Sequence, residues 1–328
     1  MLRSMYSGIS GLKNMQTKLD VIGNNIANVN TYGFKKGRVV FKDLISQTQT
    51  GASGPTGTVG GRNAQQVGLG SQLAAIDTIH SGGALQSTGR VLDLALDGDG
   101  FFIVADAPGT TDAAGGTFES PAYTRAGNFY MDKDGYLVNG DGKYLVGVAE
   151  NWDGDPTTVG SSYDLNTNVT NDPAHSTNLD ADDTDGFLPD DTAFINAGGV
   201  DLAYRPIRIP TNAESMSVGQ DGKVTFVDSE GVLRFAGQIV LAKFPNAGGM
   251  EKAGSNYYKD TANSGDPFIQ VATTNGMSAV QSGFMEMSNV DLSEEFTEMI
   301  VAQRGFQATS RIITTSDEIL QELVNLKR

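Results

Sequence analysis

The stretch that most constrains this chain is its last forty residues, 289–328. Apolar side chains recur there at heptad spacing: Leu292, Phe296, Met299, Phe306, Ile313, Leu320 and Val324. Gln303, Ser310 and Asp317 fill the same frame with polar groups. A second stripe, Ile300, Ile312, Ile319, Leu323 and Leu326, widens the apolar face. Asp291 followed by Glu294 reads as a capping box at the start of a helix. No proline follows Pro267, and only Gly305 weakens the run. The pattern predicts one helix roughly 50 Å long. An apolar face of that length needs a partner.

The partner is expected at the opposite end. Leu2, Met5, Ile9, Leu12, Leu19 and Ile26 step by threes and fours, with Met15 and Ile22 beside the frame. Gly8, Gly11 and Gly23 each lower helix propensity by about 1 kcal/mol relative to Ala, so this helix is weak alone. Asn24, Asn25, Asn28 and Asn30, then Thr31-Tyr32-Gly33-Phe34, signal its end. The two terminal helices are expected to pair antiparallel as a coiled-coil stem. Such a stem is one thing as an intramolecular coiled coil. Too weak alone, it is another: it would order on packing against copies of itself, with the polar breaks setting register.

Between the ends the chain divides by composition. Residues 35–90 form a connector. Strand signal appears at Val39-Val40-Phe41, and 46–83 reads as a long loop or extended arm rich in Gly, Ser, Thr and Gln. From residue 91 the period changes to two. Leu92, Leu94 and Leu96 lead into Asp97-Gly98-Asp99-Gly100 and the run Phe101-Phe102-Ile103-Val104. Hairpins are expected through Asp132-Lys133-Asp134-Gly135 and Asp221-Gly222, with further strands at 143–148, 202–209 and 232–244. The fold class is thus α+β: a helical stem of 1–34 and 286–328 carrying a mostly antiparallel β-domain of 91–149 and 201–285. Residues 150–200 interrupt it as an acidic insertion, read as an outer lobe. Between Lys143 and Arg205 there is no Lys or Arg, only acids from Glu150 to Asp201.

Charge and residue types exclude several functions. A net charge of −16 argues against nucleic acid as a partner. No run of apolar residues is long enough for membrane insertion. Residues 1–26 lack the apolar core and cleavage site of a secretory signal, so export, if any, would use a dedicated machine. The absence of cysteine removes disulfides, thiol catalysis and thiolate metal sites, and suits an extracellular protein that does without bridges. The Asp-Gly turns fail as calcium loops. A loop ending at Gly135 has Asp134 and Asp132 but Tyr130 in its first position, and one ending at Gly186 has Asp185 and Asp183 but Ala181 there. His80 and His175 stand far apart with no Ser or Asp companion. No phosphate-cradling loop precedes a helix. No catalytic, cofactor or metal site is therefore expected. Two classes fit the residues: a structural polymer subunit, or a surface adhesin with a coiled-coil stalk and an acidic head.

Four segments together resemble one family, the bacterial flagellar rod and hook proteins. They are Leu19-Asp20-Val21-Ile22-Gly23-Asn24-Asn25-Ile26-Ala27-Asn28 with Thr31-Tyr32-Gly33-Phe34-Lys35; Leu96-Asp97-Gly98-Asp99-Gly100-Phe101-Phe102; Tyr123-Thr124-Arg125-Ala126-Gly127-Asn128-Phe129; and Val290-Asp291-Leu292-Ser293-Glu294-Glu295-Phe296 through Arg304-Gly305-Phe306-Gln307-Ala308. Within that family Asn178-Leu179-Asp180-Ala181, the insertion and the length resemble the hook branch. The arm at 46–83 is similar to the distal rod branch as well. The resemblance implies a non-enzymatic, cofactor-free subunit exported by the flagellar type III apparatus without a cleavable signal. It would assemble outside the cell into a helical tube of many copies, the flexible joint that passes torque from rod to filament. Its partners would be the distal rod protein, the hook cap and the hook–filament junction proteins. The stem residues expected to carry polymerisation are Met5, Ile9, Leu12, Leu19, Ile22, Ile26, Leu292, Phe296, Met299, Gln303, Phe306, Ser310, Ile313, Asp317 and Leu320. The residues that carry the family likeness are Asn24, Asn25, Asn28, Gly33, Phe34, Gly98, Gly100, Phe101, Arg125 and Gly127.

Overall fold

A computed structural model describes residues 2–55, 58, 60–106, 119–149, 204–229, 231–274 and 276–326. The expected outer lobe at 150–200 lies outside these residues. The described chain is a mixture of terminal helices and antiparallel strands. It separates into two compact units.

The first unit comprises Met1–Val29, Lys35–Ile79 and Val290–Arg328. It holds α1 (Leu2–Ala27) and α2 (Leu292–Asn325). α2 starts where the sequence places it. The Asp291 carboxylate accepts from the amides of Ser293 at 2.8 Å and Glu294 at 3.4 Å, and Glu294 and Glu295 sit in the positive first turn. The reciprocal half of a capping box is replaced by an ion pair, Glu294 Oε2 to Lys36 Nζ at 2.7 Å. α1 ends in its asparagines, with Asn28 Nδ2 donating to the Asn24 carbonyl and to Asn24 Oδ1, each at 2.9 Å.

The arm is strand, not loop. β1 (Gly37–Asp43) pairs antiparallel with β4 (Ser71–Thr78), from Gly37 opposite Thr78 to Asp43 opposite Ser71, with a bulge between Val40 and Phe41. β2 (Ser46–Thr50) pairs with β3 (Gln65–Gly68), and a bridge from Ser53 to Arg62 extends the ladder. The expectation of a loop fails for a physical reason. Every residue of β2 and β3 is exposed, so no face selects apolar residues and no period-two signal exists. What holds the ladder is main-chain pairing plus polar cross-strand contact, such as Gln66 Nε2 to Thr48 Oγ1 at 3.0 Å.

The second unit comprises Asn30–Phe34 and His80–Asn289. Its main sheet runs in the order Ser215–Val218, Lys223–Val227, Leu233–Lys243, Tyr144–Ala149, Phe101–Asp106, Glu119–Thr124, Tyr257–Lys259 and Glu251–Gly254, each neighbour antiparallel. The eleven-residue strand Leu233–Lys243 is its spine and pairs with four others along its length. Both faces of the sheet are buried. Phe102, Val104, Leu145, Ile239 and Leu241 join one core cluster, while Phe101, Ile103, Val146, Val240 and Ala242 join the other. That explains the uninterrupted apolar run at 101–104, which a one-sided sheet would break with polar residues. Both expected hairpins form, Tyr130–Met131 with Leu137–Val138 and Ser215–Val218 with Lys223–Val227. Two short ladders close the unit: Leu94–Asp97 with Ala279–Ser282, and Leu85–Ser87 with Phe284–Glu286.

Candidate polymerisation interface

α1 and α2 lie against each other antiparallel. An added methyl at Gly8 would sit 3.3 Å from Ile313 Cγ1, one at Gly11 3.1 Å from Thr309 Cγ2, and one at Gly305 3.1 Å from Met15 Sδ. Further along, Lys18 pairs with Glu298, and Asn25 Nδ2 donates to Glu295 Oε2 at 3.2 Å. The seam is therefore built on glycines and other small residues, which let two helix backbones approach closely. The line of α2 that is buried is Glu295, Ala302 and Ser316, with Gly305 and Thr309 half-buried between them.

This corrects the frame expected from the sequence. The heptad period is real, but the position turned toward α1 falls one residue before the predicted line at 296, 303, 310 and 317. Leu292, Phe296, Gln303 and Asp317 are exposed, and Met299, Phe306, Ser310, Ile313 and Leu320 are half-buried. On α1, Ile22 is buried, Met5, Leu12, Leu19 and Ile26 are half-buried, and Ile9 is half exposed at 50%. The reason is steric. The helices interlock large against small, Ile313 against Gly8 and Met15 against Gly305, and other large apolar residues flank the seam. They remain uncovered in the single chain: Phe296 is 50% exposed, Ile300 and Val301 56%, Leu323 48% and Val324 65%. An exposed apolar strip along a helix marks an interaction surface.

Small polar residues fasten the helices to the first strand ladder. Asn25 is buried; its Oδ1 accepts from Gly37 N and its Nδ2 donates to Gly37 O, both at 2.9 Å. Asn14 Nδ2 donates to Ser71 Oγ at 2.8 Å. Asn25 thus has a structural role, tying the end of α1 to β1 and to Glu295 of α2. Sequence reasoning missed Asn14, Glu295, Ala302 and Ser316. The signal that could have found them is the presence of small residues at helical spacing on both helices, Gly8 and Gly11 on one and Ala302, Gly305 and Thr309 on the other, with Gly11 opposite Thr309.

Two of the residues that carry the family likeness in the β-rich unit, Gly98 and Phe101, meet the side chain of a third, Arg125. Arg125 is 2% exposed and its Nη1 lies 3.3 Å from Glu286 Oε2, itself 1% exposed. Arg125 Nη2 donates to the Gly98 carbonyl at 2.8 Å, and its guanidinium lies 5.3 Å from the centre of the Phe101 ring. Gly33, at φ +70°, presses against the same segment; a side chain there would come within 2.7 Å of Ala126 N. Gly127 lies so close to the Leu94 carbonyl that no side chain fits, and a side chain at Gly100 would meet Ser278 Oγ at 3.2 Å. Glu286, the partner of Arg125, was not singled out by the sequence. These glycines are packing residues, and the arrangement is a knot rather than a reactive site.

Among the described residues no cluster of three or more His, Asp or Glu side chains that could hold a metal ion accompanies it. His80 stands edge-on to Phe101 and Tyr258, with ring centres 5.7 and 5.4 Å apart, in a cavity of about 260 Å³ that Arg125, Lys243 and Phe244 also line. His175 lies outside the described residues. Burial raises the Tyr123 and Tyr258 phenols, Tyr258 to about 12, with Glu286 adding to the rise and Arg125 opposing it at Tyr258. Both phenols therefore stay neutral at ordinary pH. Among the described residues no helix is long and apolar enough to cross a membrane.

Three family models match in chain order: "Flagella basal body rod protein" over residues 5–35, "Flagellar hook protein FlgE/F/G D1 domain" over 95–226, and "Flagellar basal body rod FlgEFG protein C-terminal" over 281–326. The chain is 51% identical over 329 positions to the flagellar basal-body rod protein FlgG of Bacillus subtilis (strain 168), covering all of both chains. It is 34% identical over 452 positions to the flagellar hook protein FlgE of Borreliella burgdorferi, and 31% identical over 329 positions to the rod protein FlgG of the same organism, again over all of each chain. Members of this family are structural proteins of the flagellum, not enzymes. With both ends and the β-rich middle matched, the chain belongs to the flagellar rod and hook protein family.

Proposed function

We propose that this chain is the subunit of the flagellar hook, a helical tube of identical copies that acts as a flexible joint. The observation that carries polymerisation is the uncovered apolar strip along α2, from Phe296 through Ile300 to Leu323 and Val324, beside a seam already filled by small residues. A second helix from another copy would cover it. Repetition of one such non-closing contact generates a helical filament. The partners implied by this reading are the family's: the export apparatus, the distal rod protein, the hook cap and the hook–filament junction proteins, with the assembled tube outside the cell.

Support for hook over rod comes from two paralogues in one organism. In Borreliella burgdorferi the hook protein matches this chain at 34% identity and the rod protein at 31%, although the hook alignment spans 452 positions against the 328 residues of this chain and the rod alignment spans 329. The second reading, a distal rod subunit, is favoured by the 51% identity to the Bacillus subtilis protein named as a rod protein. Electron microscopy of the purified chain after polymerisation tests both. Curved tubes are expected from a hook subunit and straight ones from a rod subunit. Absence of any tube overturns the polymer reading, and tubes that persist after removal of 1–30 and 299–328 overturn the role of the terminal helices in it.

A further inference from the structure

Residues 30–34 make an unusual excursion. The chain before them and after them belongs to the helix-bearing unit, yet these five residues are counted with the β-rich unit. Specific contacts hold them there. Gly33 N donates to the Glu286 carbonyl at 2.8 Å. Asn256 Nδ2 donates to the Tyr32 carbonyl at 3.2 Å, and Tyr32 OH donates to Gln86 Oε1 at 3.3 Å. Phe34 is only 8% exposed, and Lys252 Nζ lies 4.9 Å from the centre of its ring. Beneath them Glu286 is the common post. Its carboxylate takes Arg125 on Oε2 at 3.3 Å and the Gly83 amide on Oε1 at 2.9 Å, while its carbonyl takes Gly33.

A loop that merely connected the two units would need none of this. Such segments are ordinarily solvent-exposed and carry few contacts. Gly33 adds a geometric argument: its left-handed φ of +70° and its 2.7 Å clearance to Ala126 N admit hydrogen only. We infer that residues 30–34 are a latch, a plug seated on the Arg125–Glu286 post inside the β-rich unit, and that this seating bears load applied to the chain where it enters the unit after residue 29 and leaves it before residue 35. The load-bearing part rests on the tube-forming function proposed above. The seating itself does not.

The test uses the full chain and two variants: Gly33→Ala, whose added carbon would meet the Arg125 and Ala126 backbone at 2.7 Å, and Phe34→Ala, which leaves that backbone and the buried charge pair in place. Amide exchange followed by mass spectrometry reads the seating. Exchange across 30–34 is expected to rise by at least about tenfold in both variants, while strand Phe101–Asp106 is unchanged. Unchanged exchange at 30–34 overturns the latch. Equal acceleration at 101–106 also overturns it, because the segment would then be inseparable from the core. Bending of assembled tubes reads the load: the variants are expected to form tubes of several-fold lower persistence length, and wild-type stiffness in a variant with an open latch refutes load bearing. If the wild-type chain forms no tube, the polymer reading fails and the load-bearing claim falls with it, while the exchange result still decides the latch.

Discussion

Two glycines on α1 should respond in opposite directions to the same kind of change. Gly23 is exposed, with nothing within 4 Å of the position a side chain would take. Gly23→Ala removes backbone freedom from the unfolded chain and should stabilise the helix by up to about 1 kcal/mol. Gly11 gains almost as much propensity from Leu, about 0.8 kcal/mol. Its first added carbon, however, already sits 3.1 Å from Thr309 Cγ2 on α2. The remaining carbons of leucine have no room, and overpacking of this kind costs about 1–3 kcal/mol. The net for Gly11→Leu is a loss of up to about 2 kcal/mol. Amide exchange of α1 in the monomeric full chain reads both: roughly fivefold slower in Gly23→Ala, and up to about thirtyfold faster in Gly11→Leu. If Gly11→Leu slows exchange as Gly23→Ala does, the position faces open space and the small-residue seam is wrong.

Three further outcomes follow from the same structure. Glu286→Gln leaves the Arg125 charge buried without its counter-charge and should cost about 3–5 kcal/mol in denaturant unfolding, with part recovered by adding Arg125→Met; full additivity of the two changes would deny the pairing. Tyr258 is held neutral in the folded state up to about 12 against an ordinary value of 10.0, so its contribution is complete below pH 10 and is lost as pH rises from 10 to 12, by about 2–3 kcal/mol in total. Urea midpoints at pH 9 and 11.5 should show that decline, and Tyr258→Phe should make it shallower; the same slope in the variant sinks the assignment. Ile300→Ser with Leu323→Ser changes side chains that are 56% and 48% exposed, so the monomer should lose no more than about 0.5 kcal/mol while tube formation fails. Normal tubes from this variant would remove the apolar strip from the interface.

Much of this protein was legible along the chain because local chemistry decides it. Heptad spacing from Leu292 to Val324, the Asp291 cap and the Asn-rich stop near residue 28 depend on neighbours a turn away, and α2 and α1 begin and end there. Period-two runs and Asp-Gly turns likewise place the hairpins at 132–135 and 219–222. What the chain could not disclose depends on contacts remote in sequence. The β2–β3 ladder has no buried face and so no apolar signature. The seam of α2 follows shape as well as hydrophobicity: Ile313 is received by Gly8 and Met15 by Gly305, glycines that a heptad reading counts only as weak points. Arg125 and Glu286 lie 161 positions apart, and only the closing of the β-rich unit turns two ordinary charged residues into the buried pair on which Gly33 and Gly98 converge. Periodicity thus determines that helices and strands form and where they stop. Tertiary packing decides which of their faces is filled, because that choice depends on the shape of a partner surface that no local pattern encodes.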